Sequence, residues 1–358
     1  MSRRVAPRPA EGAMGQGYAL HSGAQHHAAD YGMPLLHRAL EMVPLPEGDE
    51  VFRVADLGAA AGTNSLEPMR ALVEDIRKRT SAVTPVMVVH TDIPANDFNA
   101  MFSTVTGSPQ SYAHEPEVFA CAEARSFYEP LFPPAELHVV WSAIAVHWLS
   151  RLPRAVPDHI FSSRATGDVR EALRAQSRRD WETFLELRAR ELRAGGQLVV
   201  LGGASADDGS SGAEGLMDAA DAVLGDLVRQ KEITPDEYAR MTVPTWNRTE
   251  EEFLAPLRTG PVSDVFRVEE HTLVALPDDL LERFEQSGDA QEFADEVTAF
   301  FQAAFQPSLF SSLAPGRSDA EADALAAAFA TGLRDRVAAD PEAVETHWHF
   351  VALRLTRR

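Results

Sequence analysis

The chain has 358 residues, 45% hydrophobic and 24% charged, a composition that is ordinary for one large globular domain or for a core domain with a cap. Its formal net charge of −21 argues against binding to a nucleic-acid backbone, and its one cysteine, Cys121, excludes an internal disulfide and a thiolate-rich metal site. No apolar run approaches the roughly 18 residues that span a bilayer, and no apolar segment follows the basic opening, so we expect a cytoplasmic protein with neither a secretion signal nor a membrane partner.

The first unusual segment is MGQGYALHSGAQHHAADYGMP (14–34), which combines Tyr18, Ser22, Gln25 and several histidines without a clean apolar period. A segment that only packs shows a helical or strand period. The polar side chains therefore indicate a part of the chain that contacts a ligand. A lead-in helix with chance polar residues is the alternative.

Apolar runs with the composition of buried parallel strands follow, and helical patterns separate them. This alternation predicts a doubly wound parallel sheet. The helical pattern over 180–196 ends in Gly195 and Gly196, which form a stop signal before the next strand. The strand runs are 51–58, 86–92, 137–143 and 197–203.

The second half of the chain contains two more alternating runs, 264–276 and 347–356, and helical segments without a strand signal. This pattern predicts an α-helical cap inserted between late strands of the sheet. The predicted division is a flexible tail at 1–15, a core at 16–205, a cap at 206–262 and 277–343, and late core strands at 263–276 and 344–358.

A glycine-containing turn, VADLGAAAGTN (54–64), places Asp56 at a strand end and Gly58 and Gly62 before a helix. Small residues at such a turn let a ligand approach the backbone closely. The spacing differs from the G-x-G-x-x-G of nicotinamide enzymes and fits S-adenosylmethionine (SAM) better, because SAM has no pyrophosphate and offers an amino group to a carboxylate. A plain glycine turn is the alternative.

Asp92 ends the next strand, where a carboxylate can accept hydrogen bonds from a ribose diol. A turn-forming aspartate is the alternative, because Ile93 and a proline follow it.

Six segments match, in order, the motifs of one enzyme family. YALHSGAQ (18–25) is similar to Tyr-Ala-x-Asn-Ser-x-x-Gln, with His21 in place of Asn, and DLGAAAGTN (56–64) is similar to Asp-Leu-Gly-Cys-Ser-x-Gly-x-Asn without its Cys and Ser. The remaining matches are TDIPANDFN (91–99), RSFYEPLFP (125–133), WSAIAVHWLSRLP (141–153) and VPTWNRT (243–249). The chain thus resembles, from about residue 15 on, the SABATH family of SAM-dependent carboxyl methyltransferases, the salicylate, benzoate and jasmonate group, which also includes caffeine-pathway N-methyltransferases.

The resemblance implies a class I methyltransferase core, a Rossmann-like doubly wound α/β sheet with an inserted α-helical cap, and SAM as cofactor. It also implies that the N-terminal segment covers the site as a lid. Asp56 and Asn64 would bind the methionine end, Ser22 its carboxylate and Asp92 the ribose. The implied cofactor residues are Tyr18, Ser22, Asp56, Gly58, Gly62, Asn64, Asp92, Ile93, Ser126 and Phe127 (both at the adenine) and Ser142.

Methyl transfer to a carboxylic acid needs no general base, because the acid is already ionised at pH 7. The enzyme has to hold the carboxylate beside the methyl group and exclude water. Neutral donors can fix both oxygens without cancelling their charge. The resemblance gives this role to Gln25 and Trp148, with core packing as the alternative for Trp148.

His147 has three interpretations: an acceptor contact, a base toward a less acidic N–H or O–H group, or a buried histidine with structural partners. Ala143 and Ile144 stand where the family often has Ser and Tyr, which favours an apolar pocket. Trp246 stands where relatives often carry Tyr or another bulky residue over the acceptor, with packing in the cap as the alternative. The implied acceptor residues are Tyr18, Gln25, Ile144, His147, Trp148 and Trp246, of which Gln25, His147 and Trp148 are the catalytic candidates.

The sequence therefore predicts an enzyme that forms the methyl ester of a small, aromatic carboxylic acid. An N-methyltransferase of a small heterocycle and a SAM-binding protein without turnover are the alternatives. We expect a small-molecule acid as partner, no nucleic acid and no metal, since the histidines, including His347 and His349, lack a third ligand at suitable spacing. Homodimers are common in the family.

Overall fold

The computed structural model describes residues 23–48, 50–80, 84–314, 316–344 and 346–358, with side chains from Tyr31 onward. A seven-stranded sheet crosses this part of the chain. Its strands are β1 (Phe52–Leu57), β2 (Val86–Asp92), β3 (Val118–Ala124), β4 (Leu137–Ala143), β5 (Leu192–Ala204), β6 (Phe266–Ala275) and β7 (His349–Arg357), in the order β3-β2-β1-β4-β5-β7-β6.

Strands β1 to β5 are mutually parallel, and β7 runs antiparallel between β5 and β6. The predicted doubly wound α/β fold is confirmed. Strands β1, β2 and β4 are almost continuously buried, which explains why their apolar runs identified them in the sequence.

Helices connect β1 to β2, β2 to β3 and β4 to β5, a loop connects β3 to β4, and the other helices precede β1 or lie in the chain on either side of β6. Three of them, α6, α7 and α11 below, begin with capping boxes at Thr234, Thr249 and Ser318. In the described ranges no helix is long and apolar enough to cross a membrane. The helices are α1 (Gly23–Met42), α2 (Leu66–Arg79), α3 (Phe98–Gly107), α4 (Gly167–Glu191), α5 (Glu214–Arg229), α6 (Pro235–Tyr238), α7 (Glu250–Thr259), α8 (Asp279–Ser287), α9 (Ala290–Ala304), α10 (Gln306–Phe310) and α11 (Asp319–Ala339).

Two local predictions differ from the structure. Helix α4 ends at Glu191 and not at Gly195, because β5 already begins at Leu192 and pairs there with Leu137. Gly195 lies inside this strand with φ of 77°, and a Cβ there would meet Pro44 at 2.6 Å. Edge strand β3 was not predicted, because its exposed and small residues carry no apolar run.

Helices cover both faces of the sheet. On one face α1 and α2 pack Leu36, Leu40 and Leu72 against the strands, and on the other α4 and α7 pack Phe184 and Phe253. Helix α1 approaches β4 and β5 very closely, since a Cβ at its Gly32 would lie 2.6 Å from ring and methyl carbons of both strands. The sheet is therefore a rigid base whose strand ends are fixed from both sides.

A separate apolar cluster joins helices α5, α8, α9, α10 and α11. In it Phe301 packs against Phe329 with ring centroids 5.5 Å apart, and Val223 and Leu333 are buried beside them. These helices thus have an apolar core of their own, distinct from the two faces of the sheet.

A buried ion pair fixes the loop that follows β3. Arg188 and Glu191 on α4 are both fully buried, with Nε 2.8 Å from a carboxylate oxygen. Arg188 also donates to the carbonyl of Phe127 at 3.0 Å, and Glu191 accepts from the amide of Leu131 at 2.8 Å. The pair thereby connects α4 to the RSFYEPLFP segment.

Replacing one partner should be costly, because the other charge would stay buried and unpaired. We expect Arg188→Met to lower the free energy of unfolding by roughly 3–5 kcal/mol in urea denaturation. Arg190→Met, on the exposed face of the same helix, is the matched control and should change it by less than about 0.5 kcal/mol. Equal losses in the two variants would contradict the assigned importance of the pair.

Candidate active site

The strand order reverses between β1 and β4, and open α/β sheets bind ligands in the crevice at the carboxyl ends of such strands. The glycine loop (residues 58–62) follows β1, and the 144–149 loop follows β4. The two loops touch: a Cβ on Gly58 would lie 2.5 Å from the Cβ of Ala145. Gly58 also has φ of 82°, so glycine is required here for both conformation and space.

Asp92, at the end of β2, holds the glycine loop from its other side. Its Oδ2 accepts from the amide of Ala60 at 2.7 Å and its Oδ1 from the amide of Ile93 at 2.8 Å. Asn96 donates to the carbonyl of Ala60 at 2.9 Å, and Ala60 has a positive φ of 47°. Burial raises the pKa of Asp92. Each of its oxygens keeps a further lone pair for a hydroxyl of a ligand.

Asp56 belongs to a buried polar chain that the sequence did not reveal. Its Oδ2 accepts from the hydroxyl of Ser65 at 2.5 Å and lies 2.7 Å from Nδ1 of His90. Nε2 of His90 lies 2.5 Å from the hydroxyl of Tyr112, and burial raises the pKa of that phenol. A protonated Tyr112 donates to Nε2, so Nδ1–H of His90 donates to Asp56 and fixes the orientation of its carboxylate.

The loop after β3 brings an aromatic ring to the glycine loop. Phe127 is half-buried, with a ring carbon 3.8 Å from the position a Cβ would take on Gly58. Its ring meets those of Phe184 and Tyr128 edge-on, and the hydroxyl of Ser126 accepts from the amide of Tyr128 at 3.2 Å. Ser126 and Phe127 therefore lie where an adenine could stack beside the crevice.

The residues of the crevice fit SAM. Two carboxylates, Asp56 and Asp92, suit an ammonium group and a diol, Phe127 offers a ring face, and Gly58 leaves room for close approach. Ser142 is buried and donates to the carbonyl of Leu57 at 3.0 Å, so its hydroxyl joins β4 to β1. Other predicted cofactor residues at this end are Gly62, in the glycine loop, Asn64, in a short 3₁₀ helix, and Ile93, half-buried after β2.

Three predicted residues of the lid are not in the structural description. Tyr18 and Ser22 precede the described residues, and of Gln25 only the backbone, in α1, is described. Their roles stay predictions from the sequence.

The 144–149 loop has a strained start. Ile144 adopts φ of 52°, which is a rare conformation for a β-branched residue. Its amide donates to the carbonyl of Leu201 at 2.7 Å, and the amide of Leu149 donates to Pro244 at 2.8 Å. Neighbouring segments thus hold both ends of the loop, and strain is retained at its first residue.

His147 is half-buried, and its buried Nδ1 has no hydrogen-bond partner among the described residues. Gly203 makes room for the ring, since a Cβ at that position would lie 2.9 Å from Cγ and Nδ1. Burial and the nearby Arg248 lower the pKa of His147 to about 3. The imidazole is therefore neutral at pH 7.

Trp148 is half-buried at one end of a row of stacked rings. Its centroid lies 6.3 Å from that of Phe305, which lies 6.1 Å from that of Trp348. Ala60 of the glycine loop borders the same apolar cluster. The sequence does not identify Phe305 and Trp348 as site residues. Phe305 belongs to none of the motifs, and Trp348 lies between two histidines whose pattern is considered only for a metal site.

The structure places Trp246 outside this row, and its predicted contact with the acceptor stays a prediction. Trp246 packs with Leu149 and Leu173 in a separate small cluster, and its indole nitrogen donates to Glu252 at 3.1 Å. The residue before it pairs with Trp148, so successive side chains point to opposite sides of that segment. These contacts agree with the alternative of packing in the cap.

The described side chains include no group of three His, Cys, Asp or Glu residues that could hold a metal ion.

The glycine loop, the two carboxylates and the switch in strand order define a class I SAM-dependent methyltransferase.

Comparison with known proteins agrees with this class. The family model described as SAM dependent carboxyl methyltransferase matches residues 6–354. The indole-3-acetate O-methyltransferase 1 of rice (Oryza sativa subsp. japonica) is 30% identical over 72% of this chain and 72% of its own, and the gibberellic acid methyltransferase 1 of Arabidopsis thaliana is 29% identical over 79% and 81%. The chain belongs to the SAM-dependent carboxyl methyltransferase (SABATH) family, and its predicted cofactor is that of the family.

Two further relatives add to this. The methyltransferase FUS9 of Gibberella moniliformis is 31% identical over 65% of this chain, and the match spans 62% of that protein. The solved structure of a loganic acid methyltransferase with SAH has a TM-score of 0.77 at 20% identity and covers 97% of this chain and 99% of its own, which shows a shared fold.

Substitution of Gly58 should damage the crevice. Gly58→Ala places a Cβ 2.5 Å from Ala145, so one of the two loops must move, and we expect the Kd for SAM, measured calorimetrically, to rise at least about tenfold. Gly48→Ala is the control, because Gly48 also has a positive φ but an added Cβ meets nothing within 4 Å. Unchanged SAM affinity in Gly58→Ala would contradict the placement of the cofactor.

The neutral His147 predicts a pH dependence of stability. The folded state takes up its proton only near pH 3, whereas the unfolded state does so near pH 6.5, so stability falls as the pH drops through this window. Between pH 7.5 and 5.5, His147→Gln should lose about 1.4 kcal/mol less than the wild type in urea unfolding. The exposed His114→Gln should keep the wild-type loss, and equal losses in all three proteins would refute the assignment.

Proposed function

We propose that the protein transfers the methyl group of SAM to the carboxylate of a small, apolar, ring-bearing acid and thereby forms a methyl ester. The proposal rests on the position of Trp148, whose ring ends an aromatic row in an apolar cluster that also borders Ala60 of the glycine loop. An acceptor against this row lies beside the cofactor crevice.

The chain's own residues would bind and orient the acceptor. Within the described part of the chain, no hydrogen bond engages the indole N–H of Trp148, so this neutral donor is available to one carboxylate oxygen. The family motif assigns the amide of Gln25 to the other oxygen. A neutral donor holds the carboxylate and leaves its charge on the attacking oxygen, and the surrounding rings exclude water. Bound SAM supplies an electrophilic methyl group on its sulfonium.

His147 supports a carboxylate acceptor over a nitrogen acceptor. A nitrogen or phenol acceptor has to lose a proton, and an imidazole with a pKa of about 3 is a poor base for it. A carboxylic acid is ionised at pH 7 and needs no base. His147 can still accept or donate one hydrogen bond as a neutral ring.

The walls of the site favour an apolar ring on the acceptor. Phe305 and Trp348 continue the row from Trp148, and Ile144 is half-buried at the start of the loop. The names of two relatives, the gibberellic acid and indole-3-acetate methyltransferases, also point to acids with rings. We therefore place aromatic and polycyclic monocarboxylic acids first among the candidate substrates.

A turnover screen tests the proposal. The protein is incubated with methyl-labelled SAM and a panel of benzoic, cinnamic, indole-acetic, polycyclic and fatty acids plus purines, and the products are treated with mild base. We expect base-labile label on a ring-bearing acid. Label that survives base would replace the proposal by N- or phenol O-methylation, and SAM binding without label on any acceptor would favour a protein without turnover.

Trp148→Phe tests the role of the indole N–H, because it keeps an aromatic ring and removes the donor. We expect kcat/KM for the acid to fall about 10–100-fold, with the Kd for SAM unchanged. Trp246→Phe is the matched comparison, because Trp246 lies outside the aromatic row. It should lower kcat/KM by less than about threefold. A larger loss in Trp246→Phe would support the predicted contact of that residue with the acceptor.

The homodimer expected from the family is part of the proposal. Three large hydrophobic side chains, Tyr31 and Met42 on α1 and Phe119 on edge strand β3, are exposed on the described chain. Sedimentation at two protein concentrations distinguishes a dimer from a monomer.

A further inference from the structure

The side chain of a buried arginine, Arg248, binds the backbone of the 144–149 loop. Arg248 is 1% exposed, and its Nη1 donates to the carbonyl of Val146 at 2.6 Å while Nη2 donates to the carbonyl of Ser177 on α4 at 2.8 Å. The guanidinium lies over the rings of Trp181 and Phe253 at 5.7 and 5.5 Å. Within the described ranges no carboxylate forms an ion pair with it, although the charges of Asp180 and Glu252 act on it from a distance. Two carbonyl dipoles and two ring faces make its direct contacts.

A tyrosine hydroxyl binds the same loop two residues further along the chain, at the carbonyl of Trp148. The hydroxyl of Tyr128 donates to the carbonyl of Trp148 at 2.7 Å and lies 3.2 Å from that of Val146. Tyr128 directly follows Phe127, the residue beside the glycine loop. The contact therefore links the cofactor side of the crevice to the loop that carries Trp148.

These two contacts engage the carbonyls of Val146 and Trp148, whereas the carbonyl of His147 between them accepts from the backbone amide of Trp246 at 2.9 Å. The loop begins with the strained Ile144, a conformation that costs of order 1–3 kcal/mol and persists only where the surroundings enforce it. The carbonyls of Val146 and Trp148 point to Arg248 and Tyr128, and the ring of Trp148 packs against Phe305. The direction of the Trp148 ring thus depends on where its backbone is held.

We propose that Arg248 and Tyr128 are positioning residues for the acceptor: they fix the backbone of Val146 and Trp148 so that the indole N–H stays aimed at the carboxylate. In this proposal both residues act through the loop backbone and not by contact with the acceptor. The inference rests on the proposed function, since Trp148 is its acceptor contact. Arg248 lies in the VPTWNRT segment, which matches a motif of the family in the sequence. The buried contacts of Arg248 give this segment a positioning role in the proposal.

Tyr128→Phe is the first test, because it removes one hydroxyl and keeps the ring. We expect amide hydrogen exchange in residues 144–149 to become about tenfold faster and kcat/KM for the acid to fall about tenfold, mainly through KM, while the Kd for SAM stays within about twofold. Tyr238→Phe is the matched control, because the hydroxyl of Tyr238, at the end of α6, donates to Asp221 on α5 at 2.8 Å. This variant should leave all three quantities unchanged.

Arg248→Lys tests the second anchor, because an ammonium keeps the charge but cannot span two carbonyls as the planar guanidinium does. It should show the same local exchange and a similar rise in KM. Unchanged exchange and unchanged KM in both variants would overturn the proposal, as would faster exchange with unchanged KM, since the anchors would then not position the acceptor. Absence of acid methylation in the wild type would refute the proposed function itself, and the exchange comparison with Tyr238→Phe would still decide whether the anchors hold the loop.

Discussion

Strands β1 and β4 pair in parallel from Val54 with Val139 to Asp56 with Trp141, although β2 and β3 lie between them in the chain. This pairing brings the turns after both strands to one place, and every other feature of the site depends on it. The turn after β1 has to give up side-chain volume at Gly58, because the turn after β4 approaches it with Ala145. The turn after β4 carries strain at Ile144, and the buried groups below it retain that strain.

The two sides of the site differ in their electrostatics. On the cofactor side, the carboxylates of Asp56 and Asp92 lie at strand ends with hydrogen bonds that fix their orientation. On the proposed acceptor side, the imidazole of His147 is neutral and Trp148 carries an uncharged indole N–H. In the proposed function, a positively charged methyl donor thus meets carboxylates that attract it, and a negatively charged acceptor meets uncharged groups that leave its charge intact.

Much of this arrangement could be predicted from the sequence. Strands β2 and β4 coincide with apolar runs, and the glycine turn begins in the sequence two residues after Asp56. The features that could not be predicted have physical causes. Edge strand β3 is buried only at Val118 and lacks an apolar run. Trp246 follows the family register, yet backbone pairing with the 144–149 loop turns its ring away. The chain from Asp56 through His90 to Tyr112 joins side chains from β1, from β2 and from the segment before β3, and such long-range polar contacts leave no periodic signal in a sequence.

Gly203 and His147 occupy the same small volume, since a Cβ on one would lie 2.9 Å from the ring of the other. The two positions are therefore not free to diverge independently. A descendant of this protein could acquire alanine at position 203 only after a smaller residue had replaced His147, and the reverse order would pass through an overpacked intermediate. Substitutions at these two positions are thus constrained in their order as well as in their chemistry, with residue 147 changing first.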